Sequence, residues 1–478
     1  MNIILDRSIK KPLYKQIVGQ IEKDIASGEL SPESPLLSER ILARKLNINR
    51  STVVTAYDEL EAMGLVVRKK GSGTFINTDI WGIAHKRIPN WGRYVEDGSF
   101  HPNLPLVQRL RSETQENKII NLSSGELAPE LLPGEQFTSI LKEHSFNERL
   151  GYDHPLGNET LRYTISKHVQ FYKKMSVQPD SILITSGAQQ AIHFIIQCLL
   201  KPGDAVAIEN PSYAYSLPIF QSAGIRTFLL PVDEHGVNPD DIISLQNKHR
   251  IKMLFLNPDY QNPTGVKMSF ERRKRILEIS SVYGIPIIED DPYSLTSYNG
   301  QIGPTLKSLD SSGNVLYISS LSKIVASGLR IGWIIGPENV IHRLSDAKQQ
   351  VDFGHSVFPQ WVASQFLDSA KFAQHIINLR GELKARRDIM LEALDDLSNH
   401  TFNYYVPEGG IHLWCKINQE VNEFQLLERA LQNGISFVPG KIMGSEKGYV
   451  RFTYGRGEKQ SIHEGISRFV QALQSFNE

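Results

Sequence analysis

The sequence predicts a multidomain chain. A small, mainly α domain with a β hairpin spans residues 1–78, a linker spans 79–117, and a large α/β domain with a mostly parallel sheet spans 118–478. Three observations carry this. A length of 478 residues exceeds one ordinary domain. Apolar spacing in the first 62 or so residues is helical, then gives way to two short strands around a glycine turn. Further on, short apolar runs alternate with helical stretches, which is the pattern of a sheet covered on both faces.

In the first domain, Leu13, Ile17, Val18, Ile21 and Ile25 lie at helical spacing over Pro12 to Ser27, and Gly28 ends the helix. Ser38 caps a second helix through Leu46, with Ile41, Leu42 and Leu46 expected to face inward. Asn49 caps a third, from Arg50 to about Met63, stopped by Gly64. Leu65-Val66-Val67, Arg68-Lys69-Lys70 and Gly71-Ser72-Gly73-Thr74-Phe75-Ile76 then read as a hairpin. Three helices and a basic hairpin make a winged helix-turn-helix, whose third helix places Arg50, Ser51 and Thr52 at a major groove. Arginine and hydroxyl groups there reach phosphates or base edges. Twelve Lys and Arg against nine Asp and Glu leave a small positive surplus, so placement matters more than net charge. The plainer reading of the same pattern is a helical cap or dimerisation module.

The linker carries no sustained apolar period and is punctuated by Trp81, Pro89, Trp91, Gly92, Gly98, Pro102 and Pro105. Arg109 to Lys118 is charged. The tryptophans and Phe100 fit either partial docking on a domain surface or a free tether.

In the large domain the strand candidates are 182–185, 205–208, 227–230, 253–256, 286–289 and 315–318, with a helix over Ser269–Tyr283. Ligands gather beyond the carboxyl ends of such strands. Ser186-Gly187-Ala188-Gln189 opens a helix after the first, and free amides at a helix start suit a phosphate. Tyr213 follows the second. Asn262 lies in Asn262-Pro263-Thr264-Gly265, and Asp290 stands at the end of the apolar run Ile285-Pro286-Ile287-Ile288. Lys323 stands 33 residues after Asp290, in Ser319-Ser320-Leu321-Ser322-Lys323, with Arg330 following. Hydroxyls, an arginine and glycines beside a lysine make a phosphate cradle. A lysine beyond a strand end can also form a Schiff base with an aldehyde.

The ordered set Asn-Pro-Thr-Gly, Asp-x-x-Tyr, Ser-x-Ser-Lys and Arg resembles fold-type I pyridoxal-phosphate enzymes of the class I/II aminotransferase group. That resemblance implies a smaller α/β C-terminal subdomain and pyridoxal 5′-phosphate bound as a Schiff base at Lys323. By the same resemblance Gly187, Ala188, Gln189, Ser320, Ser322 and Arg330 hold the phosphate, and Tyr213 stacks on the pyridine ring. Asn262 and Tyr293 reach the phenolic oxygen. Asp290 faces the pyridine nitrogen and keeps it protonated; Asp291 is the competing choice, but Asp290 has the family spacing. Lys323, Asp290 and Tyr293 are therefore the implied catalytic residues, with the freed lysine as general base and acid. Tyr152 resembles the tyrosine that reaches a neighbouring subunit's phosphate, which implies sites shared across a symmetric dimer. Arg451 matches the arginine that grips an α-carboxylate in a bidentate fork, with Gly125 nearby.

The stretch from Leu37 to Phe75 resembles the DNA-binding domain of GntR-type bacterial regulators, with Leu37 where proline is frequent. That resemblance places Ser38, Arg40, Arg44, Arg50, Ser51 and Thr52 at DNA and Lys70, Gly71 and Gly73 at the wing tip. The whole chain resembles the MocR subfamily. This implies a cytoplasmic, domain-swapped homodimer that binds double-stranded operator DNA and senses an amino acid, an amine or the cofactor itself. An aminotransferase with an appended DNA-binding domain is the alternative, and an amino-acid-binding scaffold without DNA contacts is the third.

Composition agrees with a soluble protein: 40% of residues are hydrophobic and 22% charged. The formal net charge of zero argues against a surface that coats nucleic acid uniformly. Only Cys198 and Cys415 are present, both in apolar surroundings, so neither a disulfide framework nor a cysteine metal site is expected. No apolar run approaches the ~20 residues of a membrane span. The early charges at Asp6 and Arg7 do not make a signal peptide. The histidines, His101, His144, His154, His193 and His412 among them, lack metal-ligand spacing and read as structural or surface groups.

Overall fold

The computed structural model describes residues 3–27, 29–78, 91, 95, 98–116, 119–398 and 401–475. Gly28, Trp81, Pro89, Gly92 and Lys118 lie outside the described residues. The fold divides into two units, at residues 1–99 and 100–478.

In the first unit the helices are Leu13–Ser27, Glu39–Leu46 and Arg50–Ala62. Ile17, Val18, Ile21 and Ile25 form the inward stripe of the first and meet Leu42, Val53, Ala56, Tyr57 and Leu60. Ser38 accepts from the Ile41 amide at 3.4 Å and Asn49 from the Ser51 amide at 3.1 Å, so the second and third helices each start on a side-chain cap. Gly64, at φ +71, follows the third helix in a left-handed conformation that costs glycine little. The hairpin pairs Val66–Lys69 with Gly73–Ile76, from Val66↔Ile76 to Lys69↔Gly73. Ile41 departs from expectation: it is exposed, and Ala43 is buried in its place. At 100° per residue, Leu42, Ala43 and Leu46 share one face of this short helix, which leaves Ile41 off it.

The second unit is built on an eight-stranded sheet. Its order is Ile182–Thr185, Gly332–Ile335, Val315–Ser320, Ile287–Asp290, Met253–Leu256, Ala205–Asn210, Arg226–Asp233 and Gly236–Val237. The five strands from Val315–Ser320 to Arg226–Asp233 pair in parallel, while Gly332–Ile335 and the edge strand Gly236–Val237 run antiparallel to their neighbours. Alternate residues serve opposite faces. Val206, Ile208, Ile288 and Leu316 pack with Ile195, Ile341 and Leu344 on one side. Ala205, Ala207, Ile287 and Val315 pack with Ile242, Ile276 and Ile279 on the other. This two-sided burial is why the strands read as continuous apolar runs.

A four-stranded sheet near the C-terminus takes Phe402–Tyr404, Leu413–Ile417, Tyr449–Phe452 and Val438–Pro439. Ile120–Asn121 pairs in parallel with Ile435–Ser436, which lays residues 121–126 beside it. The linker expectation changes at its end: Pro105–Glu116 is a helix, with Leu110 buried and Leu106 packed on the core. Three apolar residues, Leu106, Val107 and Leu110, suffice for one buried turn but are too few to stand out as a period. Arg109 pairs with Glu428 beneath. Phe100 and Trp91 are largely exposed. Cys415 is fully buried but Cys198 is only half-buried. Among the described residues no helix is long and apolar enough to cross a membrane.

Candidate functional site

A cavity of about 760 Å³ opens beyond the carboxyl ends of the parallel strands. Lys323 enters it from a single 3₁₀ turn, Leu321–Lys323, that follows strand Val315–Ser320 and is pinned by the fully buried Leu321. Its ammonium donates to the Gly125 carbonyl. Burial lowers its pKa to about 8, with the Arg451 cation adding to the effect and Glu126 and Asp290 opposing it. The amine is therefore neutral in a sizeable fraction near physiological pH, as a nucleophile needs to be.

Asp290 ends its strand opposite Ile318. Its Oδ1 is buried without a hydrogen-bond partner among the described residues. Burial, and then the neighbouring Asp291, push the Asp290 carboxyl up to about 7, against the pull of Lys323. A buried carboxylate oxygen with no donor is costly unless a ligand supplies one. Asp291 turns the other way: its carboxylate takes Lys173 Nζ at 2.6 Å, Ser294 Oγ at 2.7 Å and the Tyr317 hydroxyl at 2.8 Å. Those partners hold its carboxyl below the ordinary range despite burial.

At one end of the cavity, Gly187 at φ +80 starts the helix Ala188–Leu199. A Cβ there would stand 2.7 Å from Arg330 Nη2. The Arg330 guanidinium donates to the Ser186 carbonyl at 2.6 Å and the Ser327 carbonyl at 3.2 Å. Ala188, Gln189, Ser320 and Ser322 line the same end, and Ser320 Oγ accepts from the Ser322 amide at 3.4 Å. Helix-start amides, hydroxyls and a guanidinium form an anion cradle.

Across the cavity Arg451 rises from strand Tyr449–Phe452. It donates through Nη1 to Asn262 Oδ1 at 3.0 Å and through Nη2 to the Ser123 carbonyl at 2.6 Å, while its buried Nε has no partner among the described residues. Burial lowers its pKa to about 10. Tyr213 lines the wall, its amide bound to the Asn262 carbonyl at 2.9 Å. The Tyr293 hydroxyl meets His412 Nε2 at 3.1 Å, and His412 Nδ1 meets Thr453 Oγ1 at 3.0 Å.

The structure thus gathers Lys323, Asp290, Tyr293, Gly187, Ala188, Gln189, Tyr213, Asn262, Ser320, Ser322, Arg330, Arg451 and Gly125 around one cavity. Tyr152 is not among the lining residues: it is largely exposed, its ring 5.7 Å from that of Phe353. Sequence reasoning missed Glu126, Arg111 and Arg456, which also line it. It also placed His412 among structural groups, whereas that residue bonds a cavity side chain. None of these four carries a spacing signal; Glu126 follows Gly125 directly, which was the one available hint. Among the described residues no acidic, histidine or cysteine group is arranged to hold a metal ion.

In the first unit, Arg40, Arg44, Arg50, Ser51 and Lys70 are exposed and Thr52 is half-buried. The Arg50 guanidinium lies 2.8 Å from Glu39, and Arg68 is held by Asp58 at 2.6 Å and Glu61 at 2.9 Å. Ser38 serves as a helix cap, and Gly71 and Gly73 adopt positive φ at the hairpin tip.

Comparison with known proteins agrees with both units. Residues 117–469 match the family Aminotransferase class I and II, and residues 13–76 match the bacterial regulatory proteins of the gntR family. The protein called uncharacterized HTH-type transcriptional regulator YdfD of Bacillus subtilis (strain 168) is 38% identical over 466 residues, covering 96% of each chain. Aromatic-amino-acid aminotransferase 1 of Thermococcus litoralis is 30% identical over 398 residues, covering 80% of this chain and 95% of that one. The crystal structure of Pyrococcus horikoshii kynurenine aminotransferase, in complex with PMP, is 31% identical with a TM-score of 0.76, covering 82% of this chain and 100% of that one. The chain belongs to the class I and II aminotransferase family, carried behind a gntR-family helix-turn-helix domain as in the HTH-type transcriptional regulators it is similar to.

Proposed function

We propose that this chain is a pyridoxal-phosphate-dependent, DNA-binding transcriptional regulator of the MocR plan, which senses an amino compound or the cofactor in its aminotransferase-like domain. The observation that carries the reading is the unpartnered, buried Asp290 Oδ1 in the same cavity as Lys323, in a chain that also has a gntR-family domain. The residues fit the cofactor. Asp290 would take the pyridine nitrogen, Asn262 and Tyr293 the phenolic oxygen, and Tyr213 the ring face. Gly187, Ala188, Gln189, Ser320, Ser322 and Arg330 would hold the phosphate, and Lys323 would carry the Schiff base. Bound there, pyridoxal phosphate supplies an aldehyde that captures primary amines and a ring that withdraws electrons from them. Arg451 offers a guanidinium with an unpartnered Nε to a carboxylate, which favours an amino acid as the sensed compound. Gly125 would contact it through the backbone.

In the first unit Arg40, Arg44, Arg50, Ser51, Thr52, Lys70, Gly71 and Gly73 would meet operator DNA, with Ser38 holding the second helix in place. Exposed Leu150, Tyr152 and Phe353 support a homodimer in which Tyr152 serves the partner's site. We take the protein to act in the cytoplasm, with a linker over 79–104 and the helix after it belonging to the larger domain. Sensing requires that the amino compound bind two arrangements of the chain with different affinity.

A second reading, a working aminotransferase with an attached DNA-binding domain, is favoured by the similarity to the Thermococcus litoralis enzyme. One experiment separates them. The purified protein with pyridoxal phosphate is titrated with amino acids and amines while its visible absorbance is followed in time. A spectral change that saturates and stays, together with altered operator binding, supports the regulator. Repeated conversion of amino acid and keto acid supports the enzyme.

A further inference from the structure

We propose that His412 is a positioning residue that sets the direction of the Tyr293 hydroxyl proton, so that Tyr293 can donate to an anionic oxygen in the cavity. The inference rests on the pyridoxal phosphate reading given above. Thr453, His412 and Tyr293 form a line of three buried side chains, joined at 3.0 Å and 3.1 Å, that runs from the end of strand Tyr449–Phe452 into the cavity wall. A Cβ on Gly125 would lie 3.6 Å from His412 Cε1 and 3.7 Å from Lys323 Nζ, so the imidazole and the ammonium flank the same glycine.

The groups facing the imidazole are two cations, Lys323 and Arg451, and two hydroxyls, Tyr293 and Thr453. Between two cations and out of water it stays neutral, with one N–H and one lone pair. Two arrangements satisfy both nitrogens. With the proton on Nδ1, the ring donates to Thr453 and accepts the Tyr293 proton, which turns that hydroxyl away from the cavity. With the proton on Nε2, Thr453 donates to Nδ1, the ring donates to the Tyr293 oxygen, and the Tyr293 proton is free to point at a ligand. An anionic oxygen beside Tyr293 selects the second arrangement. Packing alone does not call for a histidine: the edge contact of the two rings, 5.8 Å between centroids at 84°, is one that phenylalanine makes equally well.

The test uses full-length protein loaded with pyridoxal phosphate and reads the pH midpoint of its visible band. His412→Phe keeps the ring contact and removes both hydrogen bonds; His412→Gln keeps an amide at the site. Without the His412 N–H donating to its oxygen, the Tyr293 hydroxyl is a weaker donor to the anionic oxygen, which raises the proton affinity of the bound group, so the midpoint in His412→Phe rises by up to about one unit, tenfold in proton affinity. His412→Gln recovers at least half of the shift. Thr453→Val, which leaves Tyr293 and His412 in place, moves the midpoint in the same direction by less and serves if His412→Phe does not fold. A midpoint within about 0.3 unit of the unaltered protein in both His412→Phe and Thr453→Val overturns the inference, as does a glutamine variant no closer to the unaltered protein than the phenylalanine one. A protein that develops no visible band with pyridoxal phosphate overturns the reading beneath it, and is told apart because it fails before any substitution.

Discussion

Asp291 is tied to the Lys173 ammonium at 2.6 Å inside the protein, while its neighbour Asp290 keeps a buried oxygen without a partner among the described residues. Two adjacent carboxylates are thereby given opposite jobs, one to brace the end of a central strand and one to wait for a donor. The consequence is a pH-dependent cost in the ligand-free protein. With the folded pKa raised to about 7 against an unfolded 3.8, the unfolded chain releases its proton first. Stability then falls as pH climbs from about 4 to about 7, at up to about 1.4 kcal/mol per pH unit. Asp290→Asn removes that fall. Denaturant unfolding without cofactor should show the variant more stable at pH 8 by on the order of 4 kcal/mol and nearly equal at pH 4. Identical pH slopes for the two proteins would reject the assignment.

Lys323 has its pKa lowered to about 8, mainly by burial. The rate at which pyridoxal phosphate adds should therefore rise as pH passes through 8 and then level off, because only the neutral amine attacks. Borohydride reduction followed by peptide mass spectrometry should place the label on Lys323, and Lys323→Ala should carry none. A label at another lysine would move the Schiff base elsewhere.

Gly187 is required twice over, by its φ of +80 and by the 2.7 Å that separates a Cβ there from Arg330 Nη2. Gly187→Ala should cost about 1–2 kcal/mol of backbone strain. It should also displace Arg330 and weaken pyridoxal phosphate binding by about tenfold or more. Equilibrium dialysis measures the second effect, and unchanged affinity would place the phosphate away from this helix start.

Arg451→Lys retains a cation but loses the fork. Amino acid affinity, read by the spectral titration, should fall about tenfold or more while cofactor affinity changes little. Equal losses of both would make Arg451 part of the cofactor site instead.

Arg50 is exposed and its Glu39 pair lies at the surface, so Arg50→Ala should leave folding stability within about 0.5 kcal/mol. Operator binding should weaken and its dependence on salt should flatten by about one counterion. Gel-shift titrations over a range of salt test this, and an unaltered slope would take Arg50 off the phosphate backbone.

Much of the fold was legible because its signals are local. Ser38 and Asn49 announce helix starts through chemistry that acts within three residues. The strands of the large sheet, apolar on both faces, read as continuous runs at 182–185, 253–256 and 315–318. The Asn, Asp, Lys and Arg of the cavity follow one another in an order that belongs to one family, so their gathering around one cavity could be anticipated without geometry.

What the tertiary structure alone decided depends on residues brought together from far apart. Asp290 and Asp291 are alike in residue chemistry, and Lys173, 118 residues earlier, together with Ser294 and Tyr317 holds the second inside the protein. His412 became part of the site because Tyr293 lies 119 residues before it and Thr453 lies 41 after. The helix Pro105–Glu116 gains its stability from burying Leu110 in the large domain, a term no local pattern displays. The sequence by itself determined the elements and the list of reactive groups, since these follow from short-range sterics and residue chemistry. The structure decided which of those groups are desolvated, paired or left waiting, because burial and pairing are properties of the assembled interior.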